Sequence, residues 1–253
     1  MLSFADFQRE VTQVCLAATE HSDVALAGAG AIREHGLTTR QTEDIDLFTA
    51  NTSPDTFKAT SDALRQALEA HGLHVTVLRT SSLYNQLLVS NGTHEIEIDL
   101  AADWRKHPPT RLAIGNVLNE LDAAASKVNA LYSRAETRDF LDVDAIRRTG
   151  RFTDAALLRA TSDRDPGFSI DRFAEQLKLV KRIPQSEVHY YNITAESFAA
   201  IQDRTLRWAN DLTRSHSDDA WLIELLQRQA GQLDQESKPP HNQPGDTDNG
   251  RDR

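Results

Sequence analysis

The sequence predicts an α+β protein in which a region of strands and helices is followed by a region of helices alone. Three observations indicate this class: helical spacing of apolar residues at the N-terminus, alternating apolar and polar runs up to about residue 100, and no strand candidate after residue 119. We therefore assign a first domain to residues 1–118, a helical domain to 119–231 and a polar tail to 232–253.

The elements of the first domain follow from apolar spacing and from turn residues. Pro54 lies at a favourable helix start, and Gly72 ends that helix. Asn91-Gly92 separates two apolar runs, which is the strongest short-range signal for a β-hairpin. The predicted elements are a helix from Phe4, a strand at 24–27, a short helix ending near Gly36, a strand at 44–48, a helix at 55–71 and strands at 73–78, 84–90 and 94–100.

The rest of the chain shows helical patterns and then a polar segment. We expect the tail at 232–253 to be disordered, because a segment with almost no apolar residues cannot form a core. The predicted helices of the second domain cover 121–134, 138–148, 154–161, 171–183, 195–214 and 218–229.

The composition excludes several classes of protein. The 253 residues carry 38 acidic and 28 basic side chains, and the net charge of −10 argues against non-specific coating of nucleic acid. The single cysteine, Cys15, excludes an internal disulfide and a cysteine-based zinc site. No apolar run reaches about 18 residues and no signal-peptide pattern is present, so we expect a cytoplasmic protein with no membrane partner.

The strongest candidate site is the pair of aspartates in Asp44-Ile45-Asp46. On a strand both carboxylates project from one face while Ile45 points into the core. Two adjacent carboxylates repel each other unless cations neutralise them, and hard oxygen ligands favour Mg²⁺ or Mn²⁺. Solvent-facing acids on an edge strand are the alternative interpretation.

A glycine-containing turn and a third acidic strand accompany this pair. Gly28 and Gly30 follow a strand and open a helix, where backbone N–H groups can approach a phosphate. Glu95, Glu97 and Asp99 share one face of the strand at 94–100. They are a solvated face or the source of a third metal ligand, for which Asp99 is the first choice and Glu97 the second.

A set of basic residues follows in the helical domain. In a single helix over 127–142, Lys127, Arg134, Arg138 and Asp142 would lie within about 80° of one another. Such a stripe could clamp a triphosphate, with Asp142 orienting one of the bases. The alternative is an exposed face in which Arg138 and Asp142 form a weak pair, and a break near residue 136 would alter the angles.

Five arginines lie beyond this stripe. They form a solvated face or a contact with an RNA backbone. They are Arg147, Arg148, Arg151, Arg159 and Arg164.

Two signatures together resemble the AbiEii/AbiGii-type nucleotidyltransferase toxins of the DNA polymerase β-like nucleotidyltransferase superfamily. The first runs from Gly28-Ala-Gly-Ala-Ile32 through Arg40, Thr42 and Glu43 to Asp44-Ile-Asp46. The second begins at Lys127, continues through Arg134 and ends in Arg138-Asp-Phe-Leu-Asp142. The resemblance covers about residues 25–145. Ala29 and Gly30 replace the family's second glycine and its Ser/Thr.

The resemblance implies a nucleotidyltransferase domain with a mixed, mostly antiparallel sheet flanked by helices, and a helical domain that completes the cleft. It implies transfer of an NMP from an NTP, with Mg²⁺ or Mn²⁺ held by Asp44, Asp46 and Asp99. The implied catalytic residues are Asp44, Asp46, Asp99, Lys127 and Asp142, and the implied nucleotide-binding residues are Gly28, Ala29, Gly30, Arg40, Thr42, Lys127, Arg134, Arg138 and Asp139.

The resemblance also implies a biological role. The expected role is that of the toxin of a toxin–antitoxin or phage-defence pair, with a tRNA 3′ end as the acceptor and a cognate antitoxin as a partner. Two alternatives remain open: a transferase acting on a small molecule or a protein, and a catalytically weak binding protein of the same fold.

Overall fold

Seven strands form one sheet in the computed structural model, which describes residues 3–215. They are β1 (Val24–Leu26), β2 (Asp44–Thr49), β3 (His74–Thr80), β4 (Tyr84–Ser90), β5 (Glu95–Ala102), β6 (Thr110–Leu112) and β7 (Gly115–Val117). Their order in the sheet is β3-β4-β5-β2-β1-β7-β6. β2 runs parallel to β5 and β1 parallel to β7, whereas the other neighbouring pairs are antiparallel. The predicted mixed, mostly antiparallel sheet is therefore confirmed.

Nine helices of the described residues surround and follow this sheet. They are α1 (Phe4–Ala18), α2 (Gly28–Glu34), α3 (Pro54–Ala70), α4 (Glu120–Ser133), α5 (Thr137–Arg148), α6 (Asp154–Arg164), α7 (Ile170–Lys178), α8 (Gln185–Tyr190) and α9 (Ala195–Ser215). α1 packs against α3, and α4 contacts α2, α5, α6 and α7. Among residues 3–215, no helix is both long enough and apolar enough to cross a membrane.

Local sequence explains several helix boundaries. Ser3 and Asp6 form a capping box at the start of α1. Pro54 occupies the first turn of α3, and the Ser53 hydroxyl accepts a hydrogen bond from the Thr56 N–H. Both features satisfy or remove N–H groups that a helix start leaves without partners.

The helical region is held together by an aromatic cluster. Phe173 of α7 packs against Tyr132 of α4, Trp208 of α9 and Phe168, which precedes α7, with ring centroids 5.1–6.4 Å apart. Phe173 is fully buried and Trp208 almost so. Aromatic rings bury large apolar areas, so this cluster fixes α4 and α9 relative to each other on either side of α7.

The helices predicted at 121–134 and 138–148 are separate elements, so the single stripe considered for one helix over 127–142 is not formed. α4 ends at Ser133, Ala135 has a positive φ of 54°, and α5 begins at Thr137. The Asp139 carboxylate accepts the Glu136 N–H at 3.2 Å, which satisfies a donor at the start of the new helix. The break changes which acids face Lys127 and the arginines.

Other predicted elements differ in smaller ways. β6, β7 and α8 have only three to six residues each and were not predicted, because such short segments show no clear periodicity. The helix predicted at 171–183 ends at Lys178 and continues as a 3₁₀ turn. The predicted helix at 218–229, the end of the helical domain at 231 and the tail at 232–253 lie outside the described residues. The domain boundary near residue 118 stays a prediction.

Candidate active site

A cleft of about 760 Å³ opens beside the N-terminal half of β2. It is lined by the loop before β2 and by parts of α4, α5 and the segment around α8. Nine of the residues predicted from the sequence line it: Ala29, Arg40, Thr42, Asp44, Asp46, Asp99, Lys127, Arg134 and Arg138. The other four, Gly28, Gly30, Asp139 and Asp142, are not among the residues that line it.

Strand register brings the predicted carboxylates together. β2 runs parallel to β5 and pairs Asp46 with Asp99. Asp44 lies two residues before Asp46, so all three side chains share one face of the sheet. Ile45, which lies between Asp44 and Asp46, and Ile98, which precedes Asp99, are buried on the opposite face. The predicted alternation of acidic and apolar residues along both strands is therefore confirmed.

The carboxylates of this cluster repel each other. Burial, followed by the negative charge of Asp44, raises the pKa of Asp46 to about 6. Lys127 and Arg138 act in the opposite direction, but their charges do not compensate. A divalent cation between Asp44 and Asp46 would relieve this repulsion, and the oxygen donors are those that Mg²⁺ prefers.

The third carboxylate is engaged by a tyrosine. The Tyr84 hydroxyl donates a hydrogen bond of 2.6 Å to Asp99 Oδ1, and this bond raises the pKa of Tyr84 to about 12. Within residues 3–215, no group of three His, Cys, Asp or Glu side chains is arranged to hold a metal ion. Mg²⁺ is commonly bound by one or two carboxylates together with waters and substrate phosphates. Asp44 and Asp46 therefore fit such an ion, and the role of Asp99 as a third ligand stays a prediction.

A buried aspartate binds two basic side chains at the cleft. Arg40 donates two hydrogen bonds of 2.8 Å to Asp142, and Lys127 Nζ lies 3.0 Å from Asp142 Oδ2. Asp142 is fully buried. Burial by itself would raise the pKa of Asp142, but the hydrogen bonds and charges of Arg40 and Lys127 outweigh it and lower that pKa. Asp142 thus positions two bases, and the weak Arg138–Asp142 pair considered from the sequence is not formed.

The two remaining arginines are half-exposed. Arg134 donates two hydrogen bonds of 2.9 Å to Asp139, which is fully buried and so holds Arg134 from behind the cleft wall. Arg138 donates to Glu136 at 2.9 Å and approaches Asp44 at 3.9 Å. Both guanidinium groups line the cleft beside the carboxylates. This arrangement can bind an anion next to a cation held by Asp44 and Asp46.

Thr42 supports the loop that leads into β2. Its hydroxyl donates to the Asp44 carbonyl at 3.2 Å and accepts from Gln8 Nε2 at 2.7 Å. Thr42 borders the cleft but is almost fully buried. It therefore fixes the backbone of Asp44.

Close packing requires a glycine at position 28 of the first signature and leaves little room for a side chain at position 30. Gly28 has a φ of +56°, and a Cβ there would overlap the Asp46 carboxylate. A Cβ on Gly30 would lie 3.0 Å from Leu26 Cδ1, on the side of the sheet. A side chain at position 30 would therefore point toward Leu26, while Ala29 borders the cleft.

Gly28→Ala is expected to disturb the site, whereas Gly72→Ala is expected to introduce a similar backbone strain without disturbing the site. Gly72 has a φ of +84° with nothing within 4 Å of a Cβ, so Gly72→Ala adds strain alone, about 1–3 kcal/mol. Gly28→Ala adds that strain and displaces Asp46. Urea unfolding and transferase assays of both variants measure the difference. Equal stability and equal activity of the two variants would contradict the assigned contact.

Several cleft residues were not predicted from the sequence. Tyr190 and Tyr191 come from the unpredicted α8 and the turn after it. Asp144 accepts two hydrogen bonds of 2.7 Å from Arg204 of α9. Tyr84, which binds Asp99 but is not among the residues that line the cleft, was also not singled out, although the predicted hairpin and its alternation place Tyr84 on the Asp99 face.

The arginine-rich segment is largely paired within the chain. Arg147 forms two hydrogen bonds of 2.7 Å with Asp154, and Arg151 and Arg164 pair with Glu120 and Asp103. Arg148 borders the cleft. Contact with an RNA backbone stays a prediction for this segment.

Known structures share the fold at low sequence identity. The Helicobacter pylori protein JHP933 is 13% identical, with a TM-score of 0.51, and the alignment covers 94% of this chain and 100% of that one. A candidate nucleotidyltransferase from H. pylori is also 13% identical, with a TM-score of 0.50 and coverage of 84% and 98%. No curated protein matches the chain significantly.

A family model gives the decisive comparison. The model of the nucleotidyl transferase AbiEii toxin, type IV toxin–antitoxin system, matches residues 14–225. The match spans most of the chain and includes both signatures and every residue of the candidate site. The protein therefore belongs to the AbiEii nucleotidyltransferase toxin family.

Proposed function

We propose that this toxin-family protein is a Mg²⁺-dependent transferase that moves an NMP from an NTP to a tRNA 3′ end, and that a cognate antitoxin neutralises it. The observation that carries this proposal is the convergence of Asp44 and Asp46 with a set of bases in one cleft. Paired carboxylates beside cationic side chains suit an NTP, which binds as a complex of a divalent cation and a polyanion.

The carboxylates and the basic side chains have separate roles. Asp44 and Asp46 would hold Mg²⁺ or Mn²⁺, and the ion would supply charge neutralisation on the phosphates and on the leaving pyrophosphate. Lys127, held by Asp142, and the half-exposed Arg134 and Arg138 bind the phosphates. Because buried aspartates hold Lys127 and Arg134 in place, these side chains need little reorganisation on binding.

Asp99 is the base for the acceptor. Tyr84 occupies Asp99 Oδ1, which leaves Oδ2 to accept the proton of the attacking hydroxyl. The hydroxyl oxygen forms a bond to the α-phosphorus, the bond from this phosphorus to the bridging oxygen of the β-phosphate breaks, and pyrophosphate leaves with that oxygen. Asp99 lies directly beside Asp46 in the sheet, so the acceptor meets the nucleotide at the carboxylate cluster.

Labelling of tRNA tests the proposal. Purified protein with total tRNA, Mg²⁺ and each α-³²P-labelled NTP in turn is expected to label RNA with at least one NTP. Asp44→Ala and removal of the divalent cation are each expected to reduce the label to background, because Asp44 is placed to hold the ion. The effective NTP identifies the nucleotide specificity.

Two other results would change the assignment. Mg²⁺–NTP binding without label in RNA would replace the tRNA acceptor by a small molecule or a protein. Absence of NTP binding as well would overturn the catalytic role and favour a binding protein of the same fold.

A further inference from the structure

Tyr190 presents a large exposed ring at the cleft. It lies at the end of α8, borders the cleft and is 63% exposed. Exposed aromatic surface adds little to folding, because the apolar area is not removed from water. Tyr190 also shares the cleft with the basic side chains that are proposed to bind phosphates.

The ring of Tyr190 is held in place from two sides. Its hydroxyl donates a hydrogen bond to Glu43, the residue before Asp44. Its ring packs edge-to-face on Tyr191, with centroids 5.2 Å apart. Tyr191 in turn lies under Arg40, whose guanidinium carbon is 5.8 Å from the ring centroid. A chain of contacts therefore connects Tyr190 through Tyr191 and Arg40 to Asp142.

The backbone around Tyr190 is anchored as well. Val188 of α8 is fully buried, and the Thr137 hydroxyl at the start of α5 donates to Glu187. After α8, Asn192 adopts a positive φ of 56°, and its N–H donates to the His189 carbonyl. A short turn fixed at both ends holds an aromatic ring with little loss of entropy on binding.

We propose that Tyr190 is the stacking platform for a nucleobase in this cleft. Every nucleobase has a π-face, and stacking on an aromatic side chain is the common way in which proteins bind unpaired bases. This inference rests on the proposed function, since a nucleotide must enter the cleft. The incoming NTP supplies the base most directly, because Arg138, proposed to bind the phosphates, lines the same cleft as Tyr190, and Arg40 lies over the neighbouring Tyr191 ring. The terminal base of the acceptor is the other source of the same chemistry.

Calorimetric binding without turnover tests the platform. The probes are the NTP and inorganic tripolyphosphate, each with Mg²⁺, and a short single-stranded RNA. Tyr190→Ala is expected to weaken NTP binding about tenfold, because the stacking of one base on an aromatic side chain contributes a free energy of this order. Binding of tripolyphosphate, which has no base, is expected to stay unchanged. Tyr190→Phe keeps the ring and is expected to retain most of the NTP affinity.

Trp104→Ala is the matched control. Trp104 is another exposed aromatic residue, 46% exposed, and it does not border the cleft. It is expected to leave all three affinities unchanged. The exposure of Tyr190 makes loss of folding in Tyr190→Ala unexpected, and a thermal unfolding curve checks this.

The outcomes separate the possible roles. Loss of NTP affinity alone supports the platform with the base of the incoming nucleotide, and loss of RNA affinity alone supports it with the base of the acceptor. Equal loss for NTP and tripolyphosphate, or no loss for any probe, overturns the platform. A wild-type protein that binds neither NTP nor tripolyphosphate contradicts the proposed function itself. If the wild type binds both, the comparison with Tyr190→Ala tests only the role of Tyr190.

Discussion

Asp46→Asn is expected to reduce nucleotidyl transfer by about a thousandfold or more while the protein stays folded. The substitution keeps the shape of the side chain and removes the charge that would hold the divalent cation. A bound ion contributes several kcal/mol of transition-state stabilisation, and about 4 kcal/mol corresponds to a thousandfold change in rate. Initial rates at saturating NTP and Mg²⁺ measure this loss.

The same variant is expected to gain stability without divalent cations. The pKa of Asp46 is raised from 3.8 to about 6, so at pH 7 the folded state carries a charge that its surroundings disfavour. A raised carboxyl pKa means that ionisation costs folding stability above pH 6, and this cost disappears as the pH falls toward 4. The thermal unfolding temperature of Asp46→Asn should therefore exceed that of the wild type at pH 7 and approach it at pH 4.

Mg²⁺ provides the second half of this comparison. It is expected to raise the unfolding temperature of the wild type and to have little effect on Asp46→Asn, since ligands that bind only the folded state stabilise it. Glu95→Gln is the control, because Glu95 lies on β5 but is exposed and does not border the cleft. Activity of Asp46→Asn within tenfold of the wild type would exclude the proposed metal role.

Asp142→Asn is expected to destabilise the protein by about 3–5 kcal/mol, because removal of one partner leaves buried charges uncompensated. Asp142 is fully buried and binds both Arg40 and Lys127, whose side chains are 16% and 8% exposed. An asparagine can still accept a hydrogen bond but cannot balance two positive charges. Urea unfolding at pH 7 measures the change in the free energy of unfolding.

A second substitution distinguishes lost charge balance from lost packing. Arg40→Gln combined with Asp142→Asn removes one of the uncompensated charges, so the double variant is expected to lose less than the sum of the single variants. Asp62→Asn is the control, since Asp62 pairs with Lys58 on the exposed face of α3. Additive losses, or a loss below about 1 kcal/mol for Asp142→Asn, would contradict the role assigned to this cluster.

The carboxylate cluster shows how far local sequence reaches. Alternation placed Asp44 and Asp46 on one face of β2 and Asp99 on one face of β5, and the Asn-Gly pair predicted the β4–β5 hairpin. These features depend on the strand period of two residues and on turn chemistry, both of which are local. The pairing of β2 with β5 is not local, because about fifty residues separate Asp46 from Asp99.

The basic residues show where local reasoning stopped. A stripe of Lys127, Arg134, Arg138 and Asp142 required one continuous helix over 127–142, but the backbone turns at Ala135. After that turn Arg134 binds Asp139, and Asp142 binds a residue 102 positions away, Arg40. Helical periodicity cannot predict such partners, because they depend on which surfaces pack together.

The sequence by itself determined the α+β class, most helices and strands, and the identity of most acidic and basic residues at the cleft. Spacing and turn residues encode these features over a few positions, so no tertiary information is needed. Only the tertiary structure decided that Asp142 and Asp139 lie behind the cleft and that Tyr190 lies at its edge. Those placements arise from burial and long-range ion pairing, which form only when distant segments exclude water from between them.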